Sequence, residues 1–141
     1  MPRPRAVFGA LMTGLGLIAS TAAAADAPTF WTSGQVKWTD VAERAGAKQA
    51  LLWSDAATGD KGTLNRWKFN TKNPPRADAH DTHFVVLAGT FTLDLDGAEQ
   101  KQFGPGGFVS IPKGTRYASG CEAAGECIFV MHQPAGAATG K

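Results

Sequence analysis

The chain has 141 residues, 14 basic and 12 acidic side chains, 43% hydrophobic residues and only two cysteines. That length holds one domain with a modest core. A charge balance this close to neutral, with no basic stripe, argues against a nucleic-acid partner.

The chain opens on a leader pattern. Met1 to Arg5 is a short basic region, Ala6 to Ser20 is an apolar run, and Ala22-Ala23-Ala24-Ala25 offers small residues for cleavage before Asp26. The apolar run is short and glycine-bearing for a membrane span. Residues 1–25 are therefore expected to be a signal peptide and the mature protein periplasmic or secreted, with no membrane contact after cleavage. Removing Arg3 and Arg5 from the 14 basic groups leaves 12 against 12 acidic ones, so the excess charge belongs to the leader. In an oxidising compartment Cys121 and Cys127, with five residues between them, are expected to close a small disulfide loop. A metal or redox reading is weaker, because the spacing is not C-x-x-C and no histidine is near.

Residues 26–37 read as an irregular lead-in with Phe30 and Trp31 as packing anchors. Asp40 and Glu43 stand at capping-box spacing and Gly46 can end a turn, which predicts one short helix over about Val41 to Ala45. After Gly46 the signals are β. Ala47 to Ser54 and Gly62 to Asn70 read as strands separated by the turn Ala57-Thr58-Gly59-Asp60. Pro74 to Thr90 reads PPRADAHDTHFVVLAGT: a proline pair expected to break regular structure, a polar cluster, then the apolar run Phe84-Val85-Val86-Leu87. Phe91, Leu93 and Leu95 alternate with Thr92 and Asp94, and Asp96-Gly97 marks a tight turn. Phe108 to Ile111, Arg116 to Ser119 and Cys127 to Gln133 complete the strands, and residues 134–141 read as a small, polar tail. No solenoid-length repeat is present. Seven to nine short strands without a competing helical period predict an all-β, single-domain β-barrel or jelly roll over residues 38–133.

These residues resemble a known family. The run from Pro74 to Gly89, ending V-L-x-G, and the Gly-x5-Pro-x-Gly pattern within Gly106 to Tyr117 are similar to the two signature segments of the cupin superfamily. The resemblance covers nearly all of Trp38 to Gln133 and implies the cupin fold. Cupins of this small single-domain kind bind a divalent metal through H-x-H, a following glutamate and a histidine in the second segment. Read without gaps, those positions carry Arg76, Asp78, Thr82 and Tyr117. A lone carboxylate beside an arginine is a poor metal site, so no cofactor is expected.

In an extended segment Arg76 and Asp78 alternate onto one face and can meet. Arg76 then replaces the metal as a fixed cation, with Asp78 orienting it and Tyr117 offering a phenol donor, which implies a small anionic ligand. The bland reading of the same pair is a structural ion pair in a plugged barrel. Two alternatives stay open. A shifted site using His80 and His83 would make the chain a metal-dependent cupin enzyme of dioxygenase or isomerase type, although i and i+3 in a strand face opposite ways. A structural role would make it a homodimeric module. His132 reads as a core or edge histidine, and the four tryptophans as core and rim packing with one or two lining a cavity. The substitutions at the ligand positions weigh against an enzyme and for a small-molecule-binding module.

Overall fold

The computed structural model describes residues 27–122 and 124–136. The expected signal peptide and the end of the expected tail lie outside them. The chain divides into two compact units, Met1–Phe30 and Trp31–Lys141. Of the first, residues 27–30 are described; they are exposed and carry no regular structure.

In the second unit, after a single 3-10 turn at Ser33–Gln35, ten strands follow: β1 (Thr39–Asp40), β2 (Ala47–Ser54), β3 (Lys61–Trp67), β4 (Lys72–Ala77), β5 (Thr82–Ala88), β6 (Phe91–Leu95), β7 (Lys101–Phe103), β8 (Phe108–Ile111), β9 (Arg116–Cys121) and β10 (Cys127–Gln133). They form a six-stranded sheet, β1-β2-β3-β10-β5-β8, and a four-stranded sheet, β4-β9-β6-β7. Every pairing is antiparallel. The two sheets are not hydrogen-bonded into a closed barrel among the described residues, so the expected barrel or jelly roll is realised as the jelly roll.

The inward faces follow the period-two rule. Thr82, Phe84 and Val86 of β5 are buried, while His83, Val85 and Leu87 face outward. Phe91 and Leu93 of β6 meet Phe129 of β10, Trp67 of β3 and Tyr117 of β9 in one core. The rings pack in tilted and edge-on pairs, with Phe91 to Phe129 at 4.8 Å and Trp67 to Phe129 at 5.1 Å between centroids.

Three local expectations are corrected. The predicted helix over Val41 to Ala45 is a chain of tight turns closed by Ala47 N–H donating to Arg44 O, with Gly46 at φ +83°. Five residues cannot repay helix nucleation when the flanking segments pair as strands. β3 stops at Trp67 rather than Asn70, because Lys68 begins a turn to Thr71 that holds Asn70 at φ +61°. The proline pair that seemed to break structure lies inside β4, at a bulge between Asn73 and Arg76. β4 is an edge strand, where a missing N–H costs no ladder bond.

The two signature segments are stitched together by backbone. Gly114 N–H donates to Asp78 O at 2.9 Å, and Lys113 N–H to the Asp81 carboxylate at 2.9 Å. At the other end the turn Gly104 to Gly107 brackets Val86: Gly106 N–H donates to Val86 O, and Val86 N–H to Gly107 O, each at 2.9 Å. The disulfide joins Cys121, ending β9 in one sheet, to Cys127, starting β10 in the other.

Candidate functional site

The bulge at Pro74-Pro75 resets the pairing of β4 with β9, so that Asn73 stands opposite Ser119 and Arg76 opposite Tyr117. Just past the end of β4 at Ala77, Asp78 meets Arg76, with Arg76 Nε 3.2 Å from Asp78 Oδ1. This is an ion-pair distance without the alignment of a hydrogen bond. Asp78 Oδ2 accepts from the Tyr117 hydroxyl at 2.5 Å and from Thr82 Oγ1 at 3.2 Å. The four expected site residues therefore form one connected cluster around the Asp78 carboxylate. Tyr117 is fully buried. That burial, and then the bond to Asp78, push its hydroxyl up to about 12, so it stays a neutral donor across the physiological range.

Within the sandwich lies a cavity of about 190 Å³. Arg76 lines it, but Asp78, Thr82 and Tyr117 do not; they stand behind Arg76 as its support. The phenol that was expected to face a ligand is committed to Asp78 instead. A second arginine, which the sequence did not single out, lines the same cavity. Arg44 projects from the turn between β1 and β2, donates to Asn73 Oδ1 at 2.6 Å and lies with its guanidinium carbon 4.7 Å from the Trp67 ring centroid. Burial, and next the positive charge of Arg76, lower the pKa of Arg44, so the two guanidiniums are close enough to feel each other.

Gln49, Asn65 and Asn73 add amide groups to the wall, and Phe84, Phe129 and Met131 supply an apolar surface. Gln49 Nε2 donates to Asn65 Oδ1 at 3.1 Å, and Asn65 Nδ2 donates to Thr63 Oγ1 at 3.0 Å. Among the described residues two buried N–H groups of this wall, Arg44 Nε and Trp67 Nε1, have no acceptor, and Arg76 Nε makes no aligned hydrogen bond although it faces Asp78 Oδ1. Trp67 is only 3% exposed, and an unmade hydrogen bond at such a position costs about 1–3 kcal/mol. The sequence carried one signal for this wall. Thr63, Asn65 and Trp67 alternate along β3, which places polar side chains on its inward face. Arg44 had none, because it belongs to a turn.

The histidines have separate surroundings. His83 lies directly across from His132 on the outer face of the six-stranded sheet, ring centroids 5.6 Å apart. His132 Nε2 is 2.8 Å from Asp60 Oδ1, and Trp53 Nε1 donates to Asp60 Oδ2 at 2.6 Å. The His132 bond first, and the Trp53 bond second, lower the Asp60 pKa. His80 instead lines a surface cleft with Lys113, Pro134 and Gly136. Among the described residues, no three histidine, cysteine, aspartate or glutamate side chains gather closely enough to hold a metal. At the family's ligand positions the donors do not fit a divalent ion either. A guanidinium has no lone pair to give, and both Asp78 oxygens already face Arg76, Tyr117 and Thr82.

Residues 27–136 match the family model described as the ChrR cupin-like domain. No curated protein matches the chain. Solved structures similar in fold include KdgF from Halomonas sp., with 18% identity over 75% of this chain and 94% of that one, at a TM-score of 0.63. The polyketide cyclase RemF from Streptomyces resistomycificus shares 22% identity over 77% of this chain and 80% of its own, at a TM-score of 0.66. A chain of the complex between Rhodobacter sphaeroides SigE and the anti-sigma ChrR shares 18% identity over 72% and 50% respectively, at 0.60.

Proposed function

The chain belongs to the ChrR cupin-like domain family, and from that membership we propose that it is a periplasmic or secreted module that binds a small anion without a metal. The observation that carries the reading is the pair of guanidiniums, Arg44 and Arg76, on the wall of one cavity. Arginine presents a planar fork of donors suited to carboxylate or phosphate. Asp78 stands behind Arg76 and Asn73 behind Arg44, each 3.2 Å or less away, so both forks are fixed before a ligand arrives. Such pre-ordering reduces the entropy lost on binding. RemF, similar in fold, is a polyketide cyclase, so the scaffold accommodates small-molecule chemistry, but fold alone does not choose a function. Binding rather than turnover is the reading for this chain, because Glu43, the carboxylate that lines the cavity, is exposed at its rim, and both Asp78 oxygens are taken up by Arg76, Tyr117 and Thr82.

The test is a thermal-shift screen of small anions on oxidised protein purified without metal-affinity chromatography, with metal content measured on the same sample. At least one anion is expected to raise the melting temperature of the wild type and to have no effect on Arg76→Ala. Metal near one ion per chain, or an Arg76→Ala protein that responds to every anion as the wild type does, sinks the reading.

A second reading concerns assembly. Trp53, Val85, Leu87 and Phe108 stand exposed on the outer face of the six-stranded sheet. This contiguous apolar surface marks an interaction site. Its strands present no charged side chain between Arg66 at one end and Asp60 at the other, so a second copy meets no like charge there. The homodimer is therefore proposed to pack through this face, and the mass in sedimentation equilibrium is its measure.

A further inference from the structure

We infer that the cavity is built for a monocarboxylate with a compact apolar body, its carboxylate held between Arg44 and Arg76 and its body against Phe84, Phe129 and Met131. This rests on the anion-binding reading and narrows it to one ligand class.

Formal charge sets the valence of the ligand. Arg44 and Arg76 bring two positive charges, and Asp78, within ion-pair distance of Arg76, brings one negative. Glu43 stands at the rim and is exposed, where water screens it. The interior is left with a single uncompensated cation, which one monoanion neutralises. A phosphate dianion or a dicarboxylate would bring a second negative charge for which the site holds no partner cation, and burying a charge without a partner is penalised.

Donor number sets the head group. Arg44 Nε and Trp67 Nε1 lack acceptors among the described residues, whereas Arg76 Nε is turned to Asp78; a carboxylate offers two oxygens with about four acceptor sites. One carboxylate thus has capacity for both orphaned donors and for the remaining N–H groups of Arg76. Arg44 is held at its Nη2 by Asn73, so its free edge is the Nε side, and Trp67 lies beneath the same guanidinium. The indole N–H is the more telling of the two. It belongs to a side chain almost wholly removed from solvent, where no bulk water can substitute for a missing acceptor.

Volume and lining set the body. A cavity of about 190 Å³ is slightly larger than the roughly 150 Å³ that holds a benzene molecule. Two phenyl rings and a thioether, those of Phe84, Phe129 and Met131, are among the lining groups. Benzoate is therefore a fair probe, with benzamide as its neutral counterpart of nearly the same shape.

The experiment is titration of the intact wild-type chain, and of Arg44→Gln and Trp67→Phe, followed by calorimetry. Benzoate, benzamide, inorganic phosphate and sulfate are the probes, and circular dichroism melting checks that each variant folds. Benzoate is expected to bind at least roughly tenfold more tightly than benzamide, phosphate or sulfate, since each charge-assisted bond carries about a factor of ten or more. Arg44→Gln should lose roughly tenfold or more for benzoate, and Trp67→Phe roughly threefold to tenfold, while benzamide changes little in either. The wild-type comparison of benzoate with benzamide needs no variant, so a misfolded Arg44→Gln does not block the test. Should phosphate or sulfate bind the wild type while benzoate does not, the carboxylate assignment is overturned and the anion-binding reading survives. Equal binding of benzoate by wild type, Arg44→Gln and Trp67→Phe also overturns it. If none of these probes binds, both inferences fall.

Discussion

Asp78 is the residue on which the interior turns, because three partners from three elements meet on its carboxylate. Tyr117 of β9 gives the shortest of those contacts, and its protonation has a defined pH signature. The unfolded phenol titrates near 10.0 and the folded one near 12. Between those values the unfolded chain has released a proton that the folded chain still holds. The stability linked to the neutral phenol is thus complete below about pH 10 and is lost as pH rises towards 12. Tyr117→Phe should cost about 1–3 kcal/mol in urea denaturation at pH 7, as expected for a lost hydrogen bond to a charged group. It should also flatten the decline between pH 10 and 12. At this scale the sequence was informative where contacts are local. Arg76 and Asp78 are two apart in an extended segment, so their meeting could be read from spacing. Their relation to Arg44 could not, because 32 positions and a sheet-to-sheet packing separate Arg44 from Arg76.

Elements show the same division. The strands recognised in advance, such as β5 and β6, alternate or run apolar over five to seven residues. Those missed are β1 with two residues, β7 with three, and β4 with its proline pair. Each is too short or too polar for periodicity to register, and each exists because a neighbouring strand offers an edge. The signature glycine that follows β5 has a specific cause. Gly89 adopts φ +79°, and a Cβ there would overlap the Glu126 carbonyl and the Cys127 backbone. Gly97 adopts φ +73° with open space around it. Gly89→Ala should therefore cost about 2–4 kcal/mol, combining left-handed strain with a backbone clash. Gly97→Ala should cost only about 1–2 kcal/mol. Thermal denaturation of the two variants side by side checks the difference, and equal losses would remove the packing argument.

At the scale of the whole molecule, two sheets held face to face need ties as well as a core. The disulfide is one, and closing so short a loop contributes roughly 2–3 kcal/mol in the chain-entropy picture. The spacing of Cys121 and Cys127 gave that bridge away in the sequence, but not that it joins the two sheets. The outer apolar face carries the assembly prediction. Phe108 is 60% exposed and Leu87 50% exposed, so Leu87→Glu with Phe108→Glu should leave the fold intact and turn a sedimenting dimer into a monomer. A wild type that sediments as a monomer at tens of micromolar removes the dimer.

The bond from Arg44 to Asn73 crosses from the hairpin of β1 and β2 to the edge strand of the opposite sheet. It works as a clasp over an otherwise open seam, and it is fastened by the same guanidinium that faces the cavity. Whatever sits between Arg44 and Arg76 must therefore hold the seam shut from within. Occupancy would then be felt as rigidity: the two-residue edge strand β1, joined to the larger sheet through β2 alone, would breathe less when the cavity is filled than when it is empty.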